Sequence, residues 1–156
     1  HQEFGFHPQC VPVGMSCGGM QAVYFAAKYP NRVAGLYLDA PVMNLLSCPC
    51  GMGIATDELY DDFYEHTGVT RSELLNYRNH PIDHKEELLK GNVPIILVAG
   101  DSDGVVPYCE NGQLLYDYYK ANGGDITLIL KEGCDHHPHG LEDHAPLIEF
   151  VNKCYM

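Results

Sequence analysis

The sequence predicts an α/β fold in which a parallel sheet is covered by helices on both of its faces. Short apolar runs typical of strands alternate with helical patterns, at 10–14, 32–38, 93–100 and 126–130. The third run, VPIILVAG, is continuously aliphatic, as is usual for a parallel strand that is buried on both faces. With 156 residues, the chain has the length of a single domain, and no repeat or linker divides it.

The first strand, CVPVG at 10–14, contains Pro12, which lacks the N–H group that a central strand donates. The helix predicted over 18–29 has apolar side chains at the spacing of one helix face: Met20, Val23, Tyr24 and Ala27. The second strand, RVAGLYL at 32–38, follows it closely. This strand-helix-strand unit begins the parallel sheet.

The segment 42–92 interrupts the alternation and is expected to form a small helical cap. It opens with a loop rich in Gly, Cys and Pro, and short helical patterns follow. Thr70 and Glu73 have the spacing at which each side chain accepts a hydrogen bond from the other residue's backbone amide at a helix start. After the strand at 93–100, a helix is predicted over 109–122.

The last strand, ITLIL at 126–130, precedes a final helix predicted over 143–154. We expect the packed side of that helix to carry Leu147, Ile148 and Val151. The whole chain, 1–156, is therefore one α/β domain with a cap-like insert.

The charge balance excludes two classes of partner. Lys and Arg number 9 and Asp and Glu number 21, giving a net charge of −12, which repels phosphate backbones and anionic membranes. We therefore expect neither nucleic acid nor membrane as a partner. The seven cysteines form no CxxC pair, and Cys48-Pro49-Cys50 is interpreted as a turn with two free thiols. The sequence does not indicate a cellular compartment.

Ser16 lies in the motif GMSCG at 14–18, between the first strand and the first helix. A GxSxG motif in this context is typical of a nucleophilic serine on a tight turn. We expect the turn to require glycine at positions 14 and 18, because side chains there would collide with the adjoining strand and helix. The turn would direct the backbone amide of Cys17 towards a developing oxyanion.

A serine nucleophile requires a histidine base and an acid that orients it. Asp101 and Asp103 follow the strand at 93–100, at the carboxyl end where parallel sheets bind ligands. Three histidines follow the last strand, in the loop KEGCDHHPHG: His136, His137 and His139. The order Ser, Asp, His along the chain is that of α/β-hydrolases.

The segments GMSCGG, GDSDGVVP and EGCDHHPHGL resemble the nucleophile elbow, acid loop and histidine loop of the α/β-hydrolase fold, in its esterase and prolyl-oligopeptidase-like branch. The resemblance extends over nearly the whole chain. The family's acid-loop pattern, GxxDxxVP, favours Asp103 over Asp101 as the acid. Its GxxH pattern matches Gly133 and His136, which makes His136 the base and His137 the alternative base.

The resemblance implies a serine hydrolase that cleaves carboxylic esters through an acyl-enzyme and needs no cofactor, with a small-molecule or carbohydrate ester as substrate. The alternatives are a peptidase of the same fold and a non-catalytic binding or assembly module. Tyr108, directly after the acid loop, and Asp39, at the end of the second strand, are candidate substrate-binding residues.

The fold that the chain resembles has about eight strands, and the four predicted here correspond to its last four. We therefore expect the domain to be incomplete at its N-terminus. The elbow strand would have an open edge, and the second oxyanion amide, which the missing half supplies, would be lost. A missing N-terminal half or a second chain would then complete the sheet.

The histidine loop also allows a different interpretation, a transition-metal site. DHHPHGLEDH at 135–144 contains four histidines and three acidic residues. No HExxH motif or other metal-ligand spacing is present, so the sequence favours the triad over a metal site and predicts no metal. We expect the surface of the cap to carry His66, His80 and His84.

Overall fold

The computed structural model describes residues 3–156. Four strands form one sheet in the order in which they occur along the chain: β1 (Val13–Met15), β2 (Leu36–Asp39), β3 (Ile95–Gly100) and β4 (Ile126–Lys131). Every neighbouring pair is parallel, and Asp39 pairs with both Met15 and Val98. The predicted parallel α/β sheet is confirmed. Because all four strands run the same way, the loops after their carboxyl ends lie along one edge of the sheet.

The helices alternate with these strands: α1 (Cys17–Lys28), α2 (Tyr60–Thr67), α3 (Arg71–Asn76), α4 (Lys85–Lys90), α5 (Gly112–Ala121) and α6 (Ala145–Cys154). The first two strands begin later than the sequence predicted. Cys10 makes only an isolated bridge, and Pro12 separates it from β1. A 3₁₀ turn at Pro30–Arg32 precedes β2. The helix predicted over 109–122 is also divided, because Asn111 leaves the helical conformation between a 3₁₀ turn at Tyr108–Glu110 and α5.

The sheet is covered on both faces, as its buried central strands require. On one face, alternate residues of β2 and β3 pack with α1, α4 and α5: Leu36, Leu38, Ile95, Leu97, Val23, Leu88 and Leu115. On the other face, Tyr37, Ile96 and Val98 pack against α6. The face predicted for α6 was partly wrong, because Leu147 and Phe150 contact the sheet whereas Ile148 is 58% exposed.

The segment 42–92 contributes to two different cores. Its loop and α3 form a small second core with the acid loop: Val42, Leu45, Cys48, Cys50, Leu74 and Val106. Its last helix, α4, belongs instead to the layer that covers the sheet, since Leu88 lies in the main core. The predicted reciprocal hydrogen bonds between Thr70 and Glu73 cap α3. The surface position predicted for His80 was wrong, because this side chain is buried and its Nδ1 accepts a hydrogen bond from the amide of Leu45.

Within residues 3–156, no helix has both the length and the apolar character needed to cross a bilayer.

Candidate active site

Ser16 lies on a sharp turn between β1 and α1. Its backbone adopts φ 52° and ψ −123°, an unfavourable conformation for a residue with a side chain. Hydrogen bonds hold this conformation on both sides: the Ser16 amide donates to the Asp39 carbonyl, and the Ser16 carbonyl accepts from the amides of Gly19 and Val42. Strained residues of this kind cluster at functional sites.

Two of the three glycines around Ser16 are required by close packing. A Cβ atom on Gly14 would lie 2.7 Å from the Cβ of Ala22, and one on Gly19 would lie 2.5 Å from the Cβ of Pro41. A Cβ atom on Gly18 would meet nothing within 4 Å. The crowding expected at Gly14 is therefore present, whereas the crowding expected at Gly18 was wrong and is found at Gly19 instead.

Gly19 and Gly18 offer a matched test of this packing. We expect Gly19→Ala to lower the free energy of unfolding by about 1–3 kcal/mol, because the added methyl group must displace Pro41. Gly18→Ala is expected to raise it by up to about 1 kcal/mol, since alanine is the better helix former and has open space here. Urea unfolding of the two variants measures both values. Equal destabilisation by the two changes would contradict the packing.

The structure brings Ser16, His136 and Asp103 into one chain of hydrogen bonds. The Nε2 atom of His136 lies 3.0 Å from Oγ of Ser16, and its Nδ1 atom lies 2.8 Å from Oδ2 of Asp103. His136 and Asp103 are both buried. With Nδ1–H donating to the carboxylate, Nε2 is left to accept the hydrogen bond that the serine hydroxyl donates. This is the geometry in which an imidazole can take the serine proton.

The acid loop stabilises Asp103 as a carboxylate. Burial works to raise the pKa of Asp103, but hydrogen bonds from His136 and from the amides of Val106 and Val105 outweigh it. The pKa of Asp103 is therefore lowered below its ordinary value of 3.8. The group stays ionised at neutral pH, as an acid that orients an imidazole must.

The lowered pKa of Asp103 predicts a pH dependence of stability. A carboxylate whose pKa falls on folding stabilises the folded state above the ordinary pKa, and this contribution is lost as the pH falls through the folded-state pKa. We expect the wild-type protein to be more stable to urea than Asp103→Asn at pH 6, and the difference to shrink below about pH 3.8. A difference that is the same at both pH values would contradict the shift.

Hydrogen bonds join the acid loop to the histidine loop. Oδ1 of Asp101 accepts from the amide of Gly133, and the amide of Gly104 donates to Asp135. The Ser102 amide also donates to the carbonyl of Cys134. Asp101, the acid that the family pattern did not favour, therefore connects the two loops and lies outside the chain that reaches Ser16.

Asp39 is fully buried beneath the histidine loop. Its carboxylate accepts hydrogen bonds from Nδ1 of His139 at 3.0 Å, from the amide of Gly140 at 2.6 Å and from the hydroxyl of Tyr37 at 3.1 Å. The sequence prediction considered this residue for substrate binding. The structure instead places it where it fixes the position of the histidine loop.

The other two candidates, Tyr108 and His137, are not members of the hydrogen-bonded chain that connects Asp103, His136 and Ser16. Tyr108 packs against Gly112 and the main core, and burial raises its pKa to about 12. His137, the alternative base, is exposed, and its ring contacts the rings of His136 and His139 edge-on. Its neighbour His136, rather than His137, connects Ser16 with Asp103.

Cys17, the residue proposed for the oxyanion, is the first residue of α1. The first amides of a helix have no acceptor inside the helix, and the helix dipole favours negative charge at this end. The amide of Cys17 is therefore at a position suited to an oxyanion. Its thiol is free, as are the other cysteine thiols in the described part of the chain, and burial raises the pKa of Cys48 to about 12.

Sequence reasoning missed two residues that hold the cap against the acid loop. The buried side chain of Asn111 accepts from the amides of Met43 and Asn44 and donates to Ser47 and Pro107. Glu110 accepts from the Ser47 hydroxyl and the amide of Ile54. The Asn-Gly pair at 111–112 was the available signal, because it interrupts the predicted helix.

A cavity of about 520 Å³ lies between α1 and the cap. Its lining is mostly apolar and comprises Met20, Tyr24, Leu45, Phe63, Thr67, Val69, Glu73, Leu74 and Tyr77. Met20 lies about one helical turn after Ser16 on α1. The only charged lining residue is Glu73, whose carboxylate is bonded to Thr70. The cavity has the size and character of a small-molecule pocket and suits an uncharged apolar group.

Three imidazoles of the histidine loop converge at His136, which also belongs to the hydrogen-bonded chain with Ser16 and Asp103. One ring nitrogen from each of His136, His137 and His139 lies within 4.8 Å of the other two. The sequence spacing of these residues did not predict this convergence. These are the residues that could hold a metal ion.

Comparison with known proteins identifies a family and a fold. A family model described as the prolyl oligopeptidase family matches residues 2–155. A Mycobacterium tuberculosis puromycin-hydrolyzing peptidase superposes with a TM-score of 0.65 at 15% identity, over 88% of this chain and 20% of its own. An α/β hydrolase enzyme from a metagenome of lagoon sediments at Mar Chica, Morocco, gives a TM-score of 0.59 at 21% identity, over 99% and 66%.

A third structure, a monoacylglycerol lipase from Paleococcus ferrophilus, gives a TM-score of 0.55 at 14% identity, over 98% of this chain and 71% of its own. The search of curated proteins gives no match. The chain thus spans about a fifth of the length of the peptidase and about two thirds of the length of the smaller hydrolases. These likenesses confirm the α/β-hydrolase fold that the sequence motifs predicted.

Proposed function

The chain belongs to the prolyl oligopeptidase family, and from this premise we propose that it carries the catalytic triad of a serine hydrolase. The observation on which the proposal rests is His136, whose two ring nitrogens lie within hydrogen-bond distance of Ser16 and Asp103. A histidine without a catalytic role has no reason to be buried between a strained serine and a carboxylate. A non-catalytic module of the same fold has no need of this arrangement.

The proposed reaction proceeds through an acyl-enzyme. Oγ of Ser16 attacks the substrate carbonyl carbon while Nε2 of His136 takes the hydroxyl proton. Asp103 accepts the hydrogen bond from Nδ1 and stabilises the imidazolium, and the amide of Cys17 donates to the oxyanion. His136 then gives the proton to the leaving group. In the second half of the reaction, water attacks the acyl-enzyme carbonyl carbon while Nε2 of His136 takes a proton from the water. The bond to Oγ of Ser16 then breaks, His136 returns the proton to Oγ, and the carboxylic acid product is released.

We favour a peptide or amide bond as the bond that is cleaved. The matched family is one of oligopeptidases, and a structure with the same fold is described as a peptidase. We assign the apolar cavity, which Met20 of α1 lines, to an uncharged apolar side chain or acyl group of the substrate. The net charge of −12 disfavours nucleic acid as a partner.

A carboxylic ester, the substrate expected from the sequence, is the second candidate. The likeness to a monoacylglycerol lipase favours it, and the same triad chemistry opens both kinds of bond. The two candidates differ in the leaving group. An amine must be protonated by His136 as it departs, whereas a weakly basic alkoxide can depart with less assistance from a proton donor.

Covalent labelling tests the triad without knowledge of the substrate. A fluorophosphonate probe should phosphonylate Ser16 in the longest form of the protein, and peptide mapping by mass spectrometry should locate the adduct. Ser16→Ala is the control and should give no adduct. An unlabelled wild-type protein, beside a control hydrolase that reacts, would contradict the proposed function.

Matched substrates then distinguish the two candidate bonds. An anilide and a nitrophenyl ester with the same apolar acyl group differ only in the leaving group. We expect hydrolysis of both, with a rate on the anilide well above that of the Ser16→Ala background. Turnover of the ester alone would identify an esterase and overturn the preference for a peptidase.

The open edge of β1 supports the proposal that a further strand completes the sheet. Within residues 3–156, β1 has a partner strand on one side only. Its side chains Val13 and Met15, which point to the same face, are 57% and 41% exposed. Exposed apolar edges favour pairing with another segment. We propose that this segment, from a longer chain or a second chain, also supplies the second oxyanion amide. Light scattering on the purified protein tests for a second chain.

A further inference from the structure

We propose that His136, His137 and His139 form a site for a single Zn²⁺ ion at the rim of the triad, and that the ion blocks the triad reversibly. The site itself is independent of the proposed hydrolase function, whereas the block rests on it. The inference begins with one ring nitrogen from each of these residues, and these three atoms lie within 4.8 Å of one another.

Two buried carboxylates prepare the imidazoles for a metal. Nδ1 of His136 is bonded to Asp103, and Nδ1 of His139 is bonded to Asp39. Each carboxylate holds a proton on Nδ1 and leaves Nε2 with a lone pair that can coordinate a metal; in His136 this lone pair accepts the hydrogen bond from Ser16 when no ion is bound. A carboxylate behind a histidine ligand is the usual support of protein zinc sites, and it raises the basicity of the ligand.

The geometry requires only a local adjustment. In a tetrahedral zinc site with Zn–N distances of about 2.0–2.1 Å, ligand nitrogens lie roughly 3.3 Å apart. The three ring nitrogens, which lie up to 4.8 Å apart, would have to approach one another by up to about 1.5 Å. The ring centroids are already 4.8–4.9 Å apart, so the adjustment is mainly a rotation of the rings. His137 is exposed, so its side chain can move towards His136 and His139, and solvent can deliver the ion.

Zinc at this position would compete directly with catalysis. The Nε2 lone pair of His136 accepts the hydrogen bond from Ser16, and the same lone pair must take the serine proton. A bound Zn²⁺ ion would occupy it and leave Ser16 without a base. Because a chelator removes the ion, the block would be reversible.

Isothermal titration calorimetry with ZnCl₂ on the chelator-treated full protein tests the site. We expect one ion per chain. His137→Ala removes a ligand that lies outside the hydrogen-bonded chain to Ser16, and it should weaken binding at least tenfold. His66→Ala, an exposed histidine of α2, is the matched control and should bind as the wild type does. Absence of saturable binding, or equal affinity in His137→Ala, would overturn the proposal.

Two further measurements separate the possible outcomes. Co²⁺ in place of Zn²⁺ reports on the ligands, and a strong thiolate charge-transfer band would assign binding to the cysteines and overturn the histidine site. Zn²⁺ should also slow fluorophosphonate labelling of Ser16, with recovery on EDTA, and His137→Ala should require at least tenfold more Zn²⁺ for the same slowing. Labelling unaffected by bound Zn²⁺ would overturn the block. A protein that is unlabelled even without Zn²⁺ would contradict the proposed function, while the calorimetry would still decide the site.

Discussion

Replacing His136 by glutamine is expected to lower the rate of acyl-enzyme formation by about 10⁶-fold, the scale on which loss of a triad base acts. Glutamine fills a similar volume, but its amide cannot accept the serine proton near neutral pH. The Cys17 amide, which we propose binds the oxyanion, would still stabilise charge but would not generate a nucleophile. Labelling with the fluorophosphonate probe measures the rate at which Ser16 is phosphonylated, a step that needs the same base and does not depend on product release.

The same change at His137 separates the two candidate bases. His137 is exposed and lies outside the hydrogen bonds that connect Ser16 with Asp103, so we expect His137→Gln to lower the labelling rate by less than tenfold. Far-UV circular dichroism should show that both variants are folded. A larger loss in His137→Gln than in His136→Gln would assign the base to His137 and contradict the triad.

Much of the fold could be predicted because its determinants are local. The aliphatic run at 93–100 is buried on both faces as its composition indicates, and the Thr70–Glu73 spacing forms the expected helix cap. Element boundaries were less accurate where proline interrupts the backbone pattern. Pro12 separates Cys10 from β1, and a 3₁₀ turn that begins at Pro30 delays the second strand.

The triad candidates could be selected because each lies in a short motif at the end of a strand. Parallel strands bring those ends to one edge of the sheet, so residues that are distant in the chain become neighbours. The choice between Asp101 and Asp103 came from the family pattern. Its physical reason lies in the loop, where Asp103 accepts two local amide hydrogen bonds while Asp101 is bonded to Gly133.

The supporting contacts could not be predicted, because they depend on loop conformations that have no periodic signal. Asp39 ends a strand and gives no sign that its carboxylate will bind a residue about one hundred positions away, His139. Asn111 similarly bonds the amides of Met43 and Asn44 across the cap. Convergence of the three imidazoles is of the same kind, since it depends on how the loop folds over Asp39.

Replacing Asp103 by asparagine is expected to lower the rate of acyl-enzyme formation by about 10⁴-fold, through the tautomer of His136. The side-chain oxygen of the variant can still accept from the amides of Val105 and Val106, which leaves its NH₂ group facing Nδ1 of His136. Nδ1 must then accept a hydrogen bond, and the imidazole proton moves to Nε2. In that tautomer His136 donates towards Ser16 and cannot take its proton.

Asp101→Asn is the matched control for this tautomer argument. Its side-chain oxygen can keep the hydrogen bond from Gly133, so the connection between the two loops should persist and the rate should fall by less than tenfold. We expect KM to change little in either variant. Asp103→Asn removes an interaction that acts in the transition state, so it should lower kcat instead. If Asp101→Asn were the slower variant, or if Asp103→Asn raised KM alone, the carboxylate that orients His136 would have been wrongly assigned.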